Sequence, residues 1–339
     1  LKRRIRKTLR NNRTEESLSK KIAWKIDIGE DSAQAGFMSF FGDSSTRNMV
    51  EDLKSAVLSM EKRWACSKEQ EKSWEKLQKK MSCDVFNLRD LARQLETITE
   101  SKRTRPPSIL LLGETGTGKT LLARYISEQL APKEDLHQLN IGAISHDFMY
   151  GELFGGTVGA WTDLKADSHG FLLSYAGKPV FLDEIGDMEE RCQVQLLTLL
   201  DKGEVKPLNW HEAPIPCPIL IIAASNRPLK AWAAEGSERF RSDLFHRFDH
   251  VIEVPPLRER KADLRLLIST TLQDPEVNPR LGEKSFQVER ISLDAIEHME
   301  KLEFPGNFRE LRYKLSRAVA EAGREGSRTI CLRHLDRLG

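Results

Sequence analysis

The sequence predicts an α/β fold in which a parallel β-sheet is flanked by helices, followed by an all-helical subdomain and preceded by a mostly helical N-terminal segment. Three observations lead to this prediction: short apolar runs alternate with helical stretches from residue 86, a glycine-rich loop follows the first run, and no such run appears after residue 258. Alternating strands and helices are typical of a parallel sheet covered on both faces. The predicted domains are residues 1–85, 86–257 and 258–339.

The N-terminal segment carries one helical pattern and one weak strand signal. Apolar residues at alternating spacings of three and four predict a helix over residues 47–81, and a short strand is predicted within residues 20–28. The apolar positions of this helix are Val50, Leu53, Val57, Met60 and Trp64, continued after a gap by Trp74, Leu77 and Met81. The helix either packs on its own domain or pairs with a partner for dimerisation or signalling.

Charge is unevenly distributed along the chain. Residues 1–105 hold 24 Lys and Arg against 16 Asp and Glu, a balance of +8, whereas the whole chain has a net charge of +2. A basic N-terminal third is typical either of a solvated helical surface or of a contact with nucleic acid.

Five apolar runs predict the strands of the sheet. They are SILLL (108–112), LHQLNI (136–141), PVFLD (179–183), PILIIAAS (218–225) and HVIEV (250–254). An amphipathic helix precedes the first strand and is stopped by the prolines at 106 and 107. Beyond residue 258 the stretches RKADLRLLISTTL, SLDAIEHMEKL and NFRELRYKLSRAVAEAG predict helices.

Composition excludes several classes of protein. No apolar run approaches the ~20 residues that a membrane-spanning helix needs, and no signal peptide is recognised, so a cytoplasmic protein is expected. The cysteines are odd in number and form no CxxC pair, which predicts reduced thiols and no zinc site. They are Cys66, Cys83, Cys192, Cys217 and Cys331.

The stretch GETGTGKT, at residues 113–120, follows the first predicted strand and opens a helix. In such a loop, backbone N–H groups turn inward around phosphates, and the N-terminus of the helix adds a positive dipole end. Lys119 can reach the β- and γ-phosphates of ATP, and the Thr120 hydroxyl can bind Mg²⁺. The predicted nucleotide-binding residues of this segment are Gly113, Glu114, Thr115, Gly116, Thr117, Gly118, Lys119, Thr120 and Leu121.

Two acidic residues end the third predicted strand. Asp183 suits Mg²⁺, directly or through water, and Glu184 can orient and activate the attacking water. The alternative is an ordinary acidic helix start. The next strand brings Asn226 to the same edge of the sheet, where an amide can sense the γ-phosphate or position the water.

Eight motifs stand in an order that resembles the AAA+ ATPases, and more specifically the sigma-54-dependent bacterial transcription activators, or enhancer-binding proteins. The resemblance covers residues 86–339. The motifs are GETGTGKT, ELFG, GAWT, FLDEIGDM, AASNR, FRSDLFHRF, VPPLRERKADL and FPGNFREL. The resemblance implies an ATP- and Mg²⁺-dependent ATPase that works as a ring, usually a hexamer, and carries a helical lid.

The resemblance also implies roles for single residues. Asn140 matches an asparagine that restrains the catalytic glutamate, and Asn226 matches the first sensor. Arg241 and Arg247 match arginine fingers that reach the nucleotide of the neighbouring subunit, with surface salt bridges as the alternative. Arg309 matches the second sensor, on the lid.

The loop GAWTDL corresponds to the GAFTGA loop with which this family contacts the sigma factor. Its residues are Gly159, Ala160, Trp161, Thr162, Asp163 and Leu164. Gly159, Ala160 and Thr162 match the family pattern, whereas Trp replaces Phe, Asp replaces Gly and Leu replaces Ala. A tryptophan offers a large contact area to a partner, and the alternative is that it folds back on its own subunit.

Three functions are consistent with these residues. The first is a ring that activates transcription by remodelling sigma-54 RNA polymerase. The second is a related ring that remodels another protein. Asp163 and Leu164 favour it, and so does the end of the chain at residue 339, because family activators normally carry a DNA-binding domain after the lid. The third is a scaffold that binds ATP with little turnover. Contact with DNA is also possible through regions absent from this chain.

Overall fold

The computed structural model describes residues 23–25, 44–64, 73, 76–77, 87–99, 105–132, 134–160, 164–282 and 285–336. The predictions for most of the basic N-terminal segment lie outside the described residues. So do those for the loop tip at Trp161, Thr162 and Asp163.

A five-stranded parallel sheet forms the centre of the α/β part, in the order β3-β4-β7-β2-β8. Its strands are β2 (Ser108–Leu112), β3 (His137–Asn140), β4 (Pro179–Asp183), β7 (Leu220–Ser225) and β8 (His250–Glu253). All five lie within the predicted runs. Every residue of β2 and β7 is buried, which is why these strands are continuous apolar runs rather than alternating ones.

Strand register brings the predicted site residues to one edge of this sheet. Asn140 pairs with Asp183 at the ends of β3 and β4, and Leu112 pairs with Ser225 at the ends of β2 and β7. Gly113 and Asn226 follow directly after the second pair. Ligands of open α/β sheets bind at the carboxyl ends of the strands.

Helices and one small hairpin complete this part. The helices are α1 (Ser44–Trp64), α2 (Leu88–Thr99), α3 (Lys119–Leu130), α4 (His146–Phe154), α5 (Gly170–Ser174), α6 (Glu190–Lys202), α7 (Leu229–Glu235) and α8 (Ser242–Phe245). The hairpin pairs β5 (Glu204–Val205) with β6 (Ile215–Pro216), and no sequence pattern predicted it.

Helix α1 confirms the predicted helix over residues 47–64 and part of its apolar seam, and most of residues 65–81 lie outside the described residues. The buried stripe is Thr46, Met49, Leu53, Ala56 and Met60. Of the seam residues in α1, Leu53 and Met60 are buried, whereas Val50, Val57 and Trp64 are only partly buried. The buried stripe keeps the alternating spacings of three and four but begins at Thr46, four residues before Val50. Burial of this stripe within the chain supports packing on its own protein rather than a free pairing face.

The C-terminal part is mainly helical but not all-helical, so that prediction was wrong. Its helices are α9 (Leu264–Gln273), α10 (Leu293–Lys301), α11 (Asn307–Arg324) and α12 (Leu332–Asp336). Its strands are β9 (Arg280–Gly282), β10 (Ser285–Phe286), β11 (Arg290–Ser292) and β12 (Thr329–Ile330). Strands of two or three residues are too short to produce a recognisable period.

Strand β1 (Ala23–Lys25) lies within the predicted segment 20–28 and confirms a strand there. It pairs antiparallel with β11, and β11 pairs in parallel with β12. Residues from the N-terminal segment therefore complete a small sheet of the C-terminal part, a pairing that the sequence did not indicate.

Contacts between Cα atoms divide the chain into two compact units. The α/β unit comprises residues 51–114 and 118–254. The C-terminal unit comprises, among the described residues, 23–25, 44–50, 115–117 and 255–336. The phosphate-loop tip, Thr115–Thr117, therefore groups with the C-terminal unit. The predicted domain boundaries at 85 and 257 stay a prediction.

Three of the five cysteines lie in the described part of the chain, where Cys192, Cys217 and Cys331 are buried free thiols. Burial raises the pKa of the Cys192 thiol to about 12 and also raises the pKa of Cys217, so both stay protonated near neutral pH. None of the helices that the structure describes is long and apolar enough to cross a lipid bilayer.

Candidate functional site

The Lys119 side chain holds a positive charge inside the glycine-rich loop. Its Nζ donates hydrogen bonds to the carbonyl oxygens of Gly113, at 2.7 Å, and Glu114, at 3.0 Å. The lysine is buried although it carries a charge. The predicted phosphate-binding lysine is therefore held inside the loop by carbonyl oxygens of the loop itself.

The tip of the loop packs on the start of helix α11, within the C-terminal unit. The backbone N–H of Phe308 donates to the carbonyl of Gly116 at 2.9 Å, and Asn307 Nδ2 donates to the carbonyl of Thr115 at 3.1 Å. Gly116 has φ +80°, and a Cβ there would lie 2.5 Å from the carbonyl oxygen of Gly306. Only glycine fits this approach without displacing backbone.

The same packing brings Arg309 to the loop tip. Its backbone nitrogen lies 3.4 Å from the position that a Cβ on Gly116 would occupy. The predicted second sensor and the loop tip are thus neighbours in the C-terminal unit.

Asp183 and Glu184 follow β4 at the carboxyl edge of the sheet. The backbone N–H of Glu184 donates to Asp183 Oδ1 at 3.0 Å. Glu184 has φ +57°, a left-handed conformation that costs about 1–2 kcal/mol in a residue with a side chain. Its Oε2 atom is buried and has no hydrogen-bond partner among the described residues. A strained residue with an unsatisfied buried oxygen is typical of a functional position.

Asn140 and Glu184 lie around the same small space. A Cβ added to Gly142 would be 3.4 Å from Asn140 Oδ1 and 3.7 Å from Glu184 Cβ. Asp187 Oδ2 would lie 3.2 Å away. The structure therefore brings the predicted restraining asparagine and the predicted catalytic acid together.

Arg227 and Asp187 form an ion pair that sequence reasoning missed. Arg227 donates from Nε and Nη2 to Asp187 Oδ1, at 3.1 and 2.9 Å. The pair joins the turn after β4 to the turn after β7, next to the exposed Asn226. Both residues belong to motifs that carried the resemblance, FLDEIGDM and AASNR, but neither had a role assigned. The pair is half-exposed, so its contribution to stability is small.

Arg241 and Arg247 are paired with acidic residues of the α/β unit. Arg241, directly before α8, binds both carboxylate oxygens of Asp243, at 3.0 and 2.7 Å. These hydrogen bonds raise the pKa of Arg241. Arg247, after α8, pairs with Asp201 near the end of α6. Both guanidinium groups are partly exposed and paired with a carboxylate. To bind another group, each arginine would have to exchange its aspartate for a more highly charged anion.

The base of the predicted partner loop is held by backbone hydrogen bonds. Gly156 and Ser168 exchange two of them, at 2.9 and 2.8 Å. Asp167 accepts from the N–H of Val158 at 3.1 Å and from the N–H of Leu88, the first residue of α2, at 3.3 Å. Gly159, Ala160 and Leu164 lie above this base, and the tip between them lies outside the described residues.

Two families match this chain. Residues 85–254 match the sigma-54 interaction domain, and residues 258–337 match an AAA+ ATPase lid domain. The chain belongs to the sigma-54 interaction domain family. The AAA+ ATPase class and the resemblance to sigma-54-dependent activators are confirmed, whereas the roles of single residues stay predictions.

Several curated relatives are transcription regulators. The DNA-binding transcriptional activator HyfR of Escherichia coli K12 is 35% identical over 235 residues, which are 68% of this chain and 33% of HyfR. The nitric oxide reductase transcription regulator NorR1 of Cupriavidus necator is 35% identical over 240 residues, 70% of this chain and 44% of NorR1. The chain thus spans less than half the length of these two relatives.

A solved structure shares the fold. NtrX from Brucella abortus in complex with ATP superposes with a TM-score of 0.55 at 25% identity, covering 75% of this chain and 53% of NtrX. The AAA+ fold of this sigma-54 interaction domain is therefore present both in the sequence match and in three dimensions.

Proposed function

We propose that this chain binds ATP with Mg²⁺, hydrolyses ATP in a homo-oligomeric ring, and uses the cycle to move the loop 159–164 against sigma-54 RNA polymerase, which activates transcription. The observation that carries this proposal is the carboxyl edge of the sheet. There the buried Lys119 ammonium and the unsatisfied Glu184 carboxylate lie on neighbouring segments of one unit.

Phosphate binding is supported by the loop and by helix α3. Lys119 Nζ donates to two neutral carbonyl oxygens, and a phosphate oxygen can compete with them because it carries a negative charge opposite the ammonium. Helix α3 begins at Lys119, and the positive end of its dipole lies at the glycine-rich loop. The loop residues 113–121 are therefore proposed to hold the phosphates, and Arg309 is proposed as the second sensor.

The residues present fit Mg²⁺. The described residues contain no group of three or more His, Cys, Asp or Glu side chains that could enclose a metal ion. Mg²⁺ does not need one, because it is usually held by one or two protein oxygens together with phosphate oxygens and water. Thr120 and Asp183 are the proposed protein ligands. When bound, the ion neutralises charge on the phosphate oxygens.

Glu184 is the proposed general base. Its unsatisfied oxygen can accept a proton from water while the water oxygen forms a bond to the γ-phosphorus. The bond to the bridging oxygen then breaks, and ADP leaves. Asn140, beside Gly142, would restrain Glu184 until the nucleotide is bound, and Asn226 would sense the γ-phosphate.

Ring assembly is proposed to bring a positive charge to the γ-phosphate of the neighbouring subunit. Arg241 and Arg247 of one subunit would leave Asp243 and Asp201 for the more highly charged γ-phosphate of the neighbouring subunit. An arginine supplied in this way can raise the rate ~10³- to ~10⁵-fold. Hydrolysis then depends on assembly, which we expect to be hexameric.

Sigma-54 RNA polymerase is the partner that the family membership favours. The rigid base at Gly156 and Ser168 would transmit movement of the α/β unit to the loop, where Trp161 offers the contact surface. This partner would place the protein in the bacterial cytoplasm. DNA contact would come from regions outside this chain.

A second candidate function is remodelling of a different protein by the same ring. The observation that favours it is the loop itself, where Asp163 and Leu164 replace the small residues of GAFTGA. An added carboxylate and a bulky side chain change both the charge and the flexibility of the contact.

One capture experiment tests the proposal. The chain is assembled with ADP and aluminium fluoride, ring formation is checked by analytical ultracentrifugation, and immobilised sigma-54 is added. Capture of the wild type and loss of capture for Trp161→Ala, with ATP turnover retained in both, is the expected result. Rings that turn over ATP without capturing sigma-54 would favour the second candidate. Rings without turnover would favour a scaffold.

A further inference from the structure

Asp249 is the centre of an ion-pair cluster in the α/β unit, two residues after Arg247. Its side chain is 12% exposed. Arg63 Nη1 lies 2.8 Å from Oδ2 and Arg105 Nη2 lies 3.1 Å from Oδ1. Ser108 adds two hydrogen bonds to Oδ2, from its backbone N–H at 2.9 Å and its hydroxyl at 3.1 Å. Every carboxylate oxygen therefore has a charged partner.

The two arginines also hold backbone. Arg63 Nη2 donates to the carbonyl of Arg105 at 2.7 Å, and Arg105 Nη2 donates to the carbonyl of Arg247. A continuous series of charge-assisted hydrogen bonds thus leads from helix α1 to the peptide of the predicted arginine finger. Phe248, between Arg247 and Asp249, is buried in the core of the α/β unit and anchors the same segment.

The two arginines should hold the segment around Asp249 in one conformation, because several strong hydrogen bonds converge on it. Charge-assisted hydrogen bonds are roughly twice as strong as neutral ones, and a guanidinium fork fixes direction as well as distance. Removing one arginine leaves the mostly buried Asp249 with less compensation, so the segment 247–249 would move to regain solvent or partners. A shift of about 1 Å at a reacting group can cost ~10²-fold in rate.

We propose that Arg63 and Arg105 are positioning residues for Arg247, so that helix α1 of the N-terminal segment sets how well a subunit serves the nucleotide of its neighbour. The proposal rests on the trans-acting role of Arg247 given above. It gives α1 a function within the ring: any signal that moves α1 changes hydrolysis in the adjacent subunit rather than in its own.

A mixed-ring experiment tests this direction of action. Glu184→Gln subunits cannot hydrolyse ATP but can donate Arg247, and Arg247→Ala subunits can hydrolyse but donate nothing. Rings of either variant alone should be inactive. A mixed ring should recover turnover wherever an Arg247→Ala subunit receives Arg247 from a Glu184→Gln neighbour. We expect Arg63→Ala on the Glu184→Gln chain to lower the recovered turnover ~10- to ~100-fold. On the Arg247→Ala chain it should change turnover less than two-fold.

The matched control is Arg89→Ala, which removes an exposed arginine–glutamate pair with Glu212 at 2.7 Å in the same unit. It should leave turnover unchanged on either chain. Arg63→Lys, which keeps the charge on Asp249 but loses the fork, should act in the same direction as Arg63→Ala with a smaller loss. If ultracentrifugation shows that Arg63→Ala does not form rings, Arg63→Lys replaces it in the test.

The outcomes separate the two proposals. Equal loss from Arg63→Ala or Arg63→Lys on both chains, or no loss on either, would overturn the positioning role while leaving the trans-acting arginine intact. Failure of the Glu184→Gln and Arg247→Ala chains to complement each other with Arg63 unchanged would instead overturn the trans-acting role itself.

Discussion

The side-chain amide of Asn307 donates a hydrogen bond to the carbonyl oxygen of Thr115, 192 residues earlier, at 3.1 Å. The other end of the same amide accepts from the backbone N–H of Leu257 at 2.7 Å. Asn307 is fully buried and has φ +51°, a conformation that asparagine tolerates better than most residues. One side chain therefore ties the phosphate-loop tip to the start of the C-terminal unit.

Asn307→Asp is expected to weaken ATP binding. Aspartate keeps the left-handed backbone and the acceptor for Leu257 but cannot donate to Thr115, and its charge faces a carbonyl. Loss of a buried hydrogen bond costs about 1–3 kcal/mol, which corresponds to a Kd higher by roughly 5- to 150-fold when the bond orders the binding loop. Titration with a fluorescent ATP analogue measures this.

Asn278→Asp is the control, because Asn278 is also a buried amide in the C-terminal unit. It donates to the carbonyls of Leu272 and Val288 and contacts no loop residue in these hydrogen bonds. It should lower the melting temperature and leave the Kd of the folded protein unchanged. Equal ATP affinities for the two variants would contradict the role of Asn307.

Gly116→Ala is expected to displace the loop tip. The new Cβ would lie 2.5 Å from the carbonyl oxygen of Gly306, so backbone has to move, and ATP affinity should fall. Gly236→Ala is the matched change: it also has positive φ, +66°, but its Cβ would meet nothing within 4 Å. Calorimetry should give a loss of about 1–2 kcal/mol of stability for Gly236→Ala, with unchanged affinity. An unchanged Kd for Gly116→Ala would show that the close packing of Gly116 on Gly306 does not affect ATP binding.

Glu184→Gln should bind ATP and assemble but lose turnover by at least ~10²-fold, because the amide cannot accept the proton from water. Phosphate release measures turnover, and ultracentrifugation measures assembly. Glu190→Gln, at the exposed first residue of α6, is the control and should behave as wild type. Near-normal hydrolysis by Glu184→Gln would remove Glu184 from its assigned role.

Specific ATPase activity should rise with protein concentration, since Arg247 is proposed to act across a subunit interface. Arg247→Ala should lower the plateau ~10³-fold or more without changing ATP affinity. Arg265→Ala, which removes an exposed pair with Glu300, should leave both quantities unchanged. Activity that is independent of concentration in wild-type protein would show that each subunit is complete alone.

The sequence by itself determined the central sheet and the position of the nucleotide loop. Long apolar runs such as 108–112 and 218–225 are buried on both faces, so burial left a signal that does not depend on distant partners. GETGTGKT was equally readable, because its glycines and lysine act through local backbone geometry. In the C-terminal part, sequence reasoning found the helices α9, α10 and α11 but missed the strands, because strands of two or three residues carry no period.

Only the tertiary structure decided which distant groups meet. Three features depend on strands and helices being assembled first: Arg63 binds Asp249, Asn307 holds Thr115, and Glu184 keeps a buried oxygen that no described residue bonds. Polar side chains such as these look alike along the chain whether they face solvent or one another. Their partners are selected by three-dimensional proximity and burial, which no local pattern records.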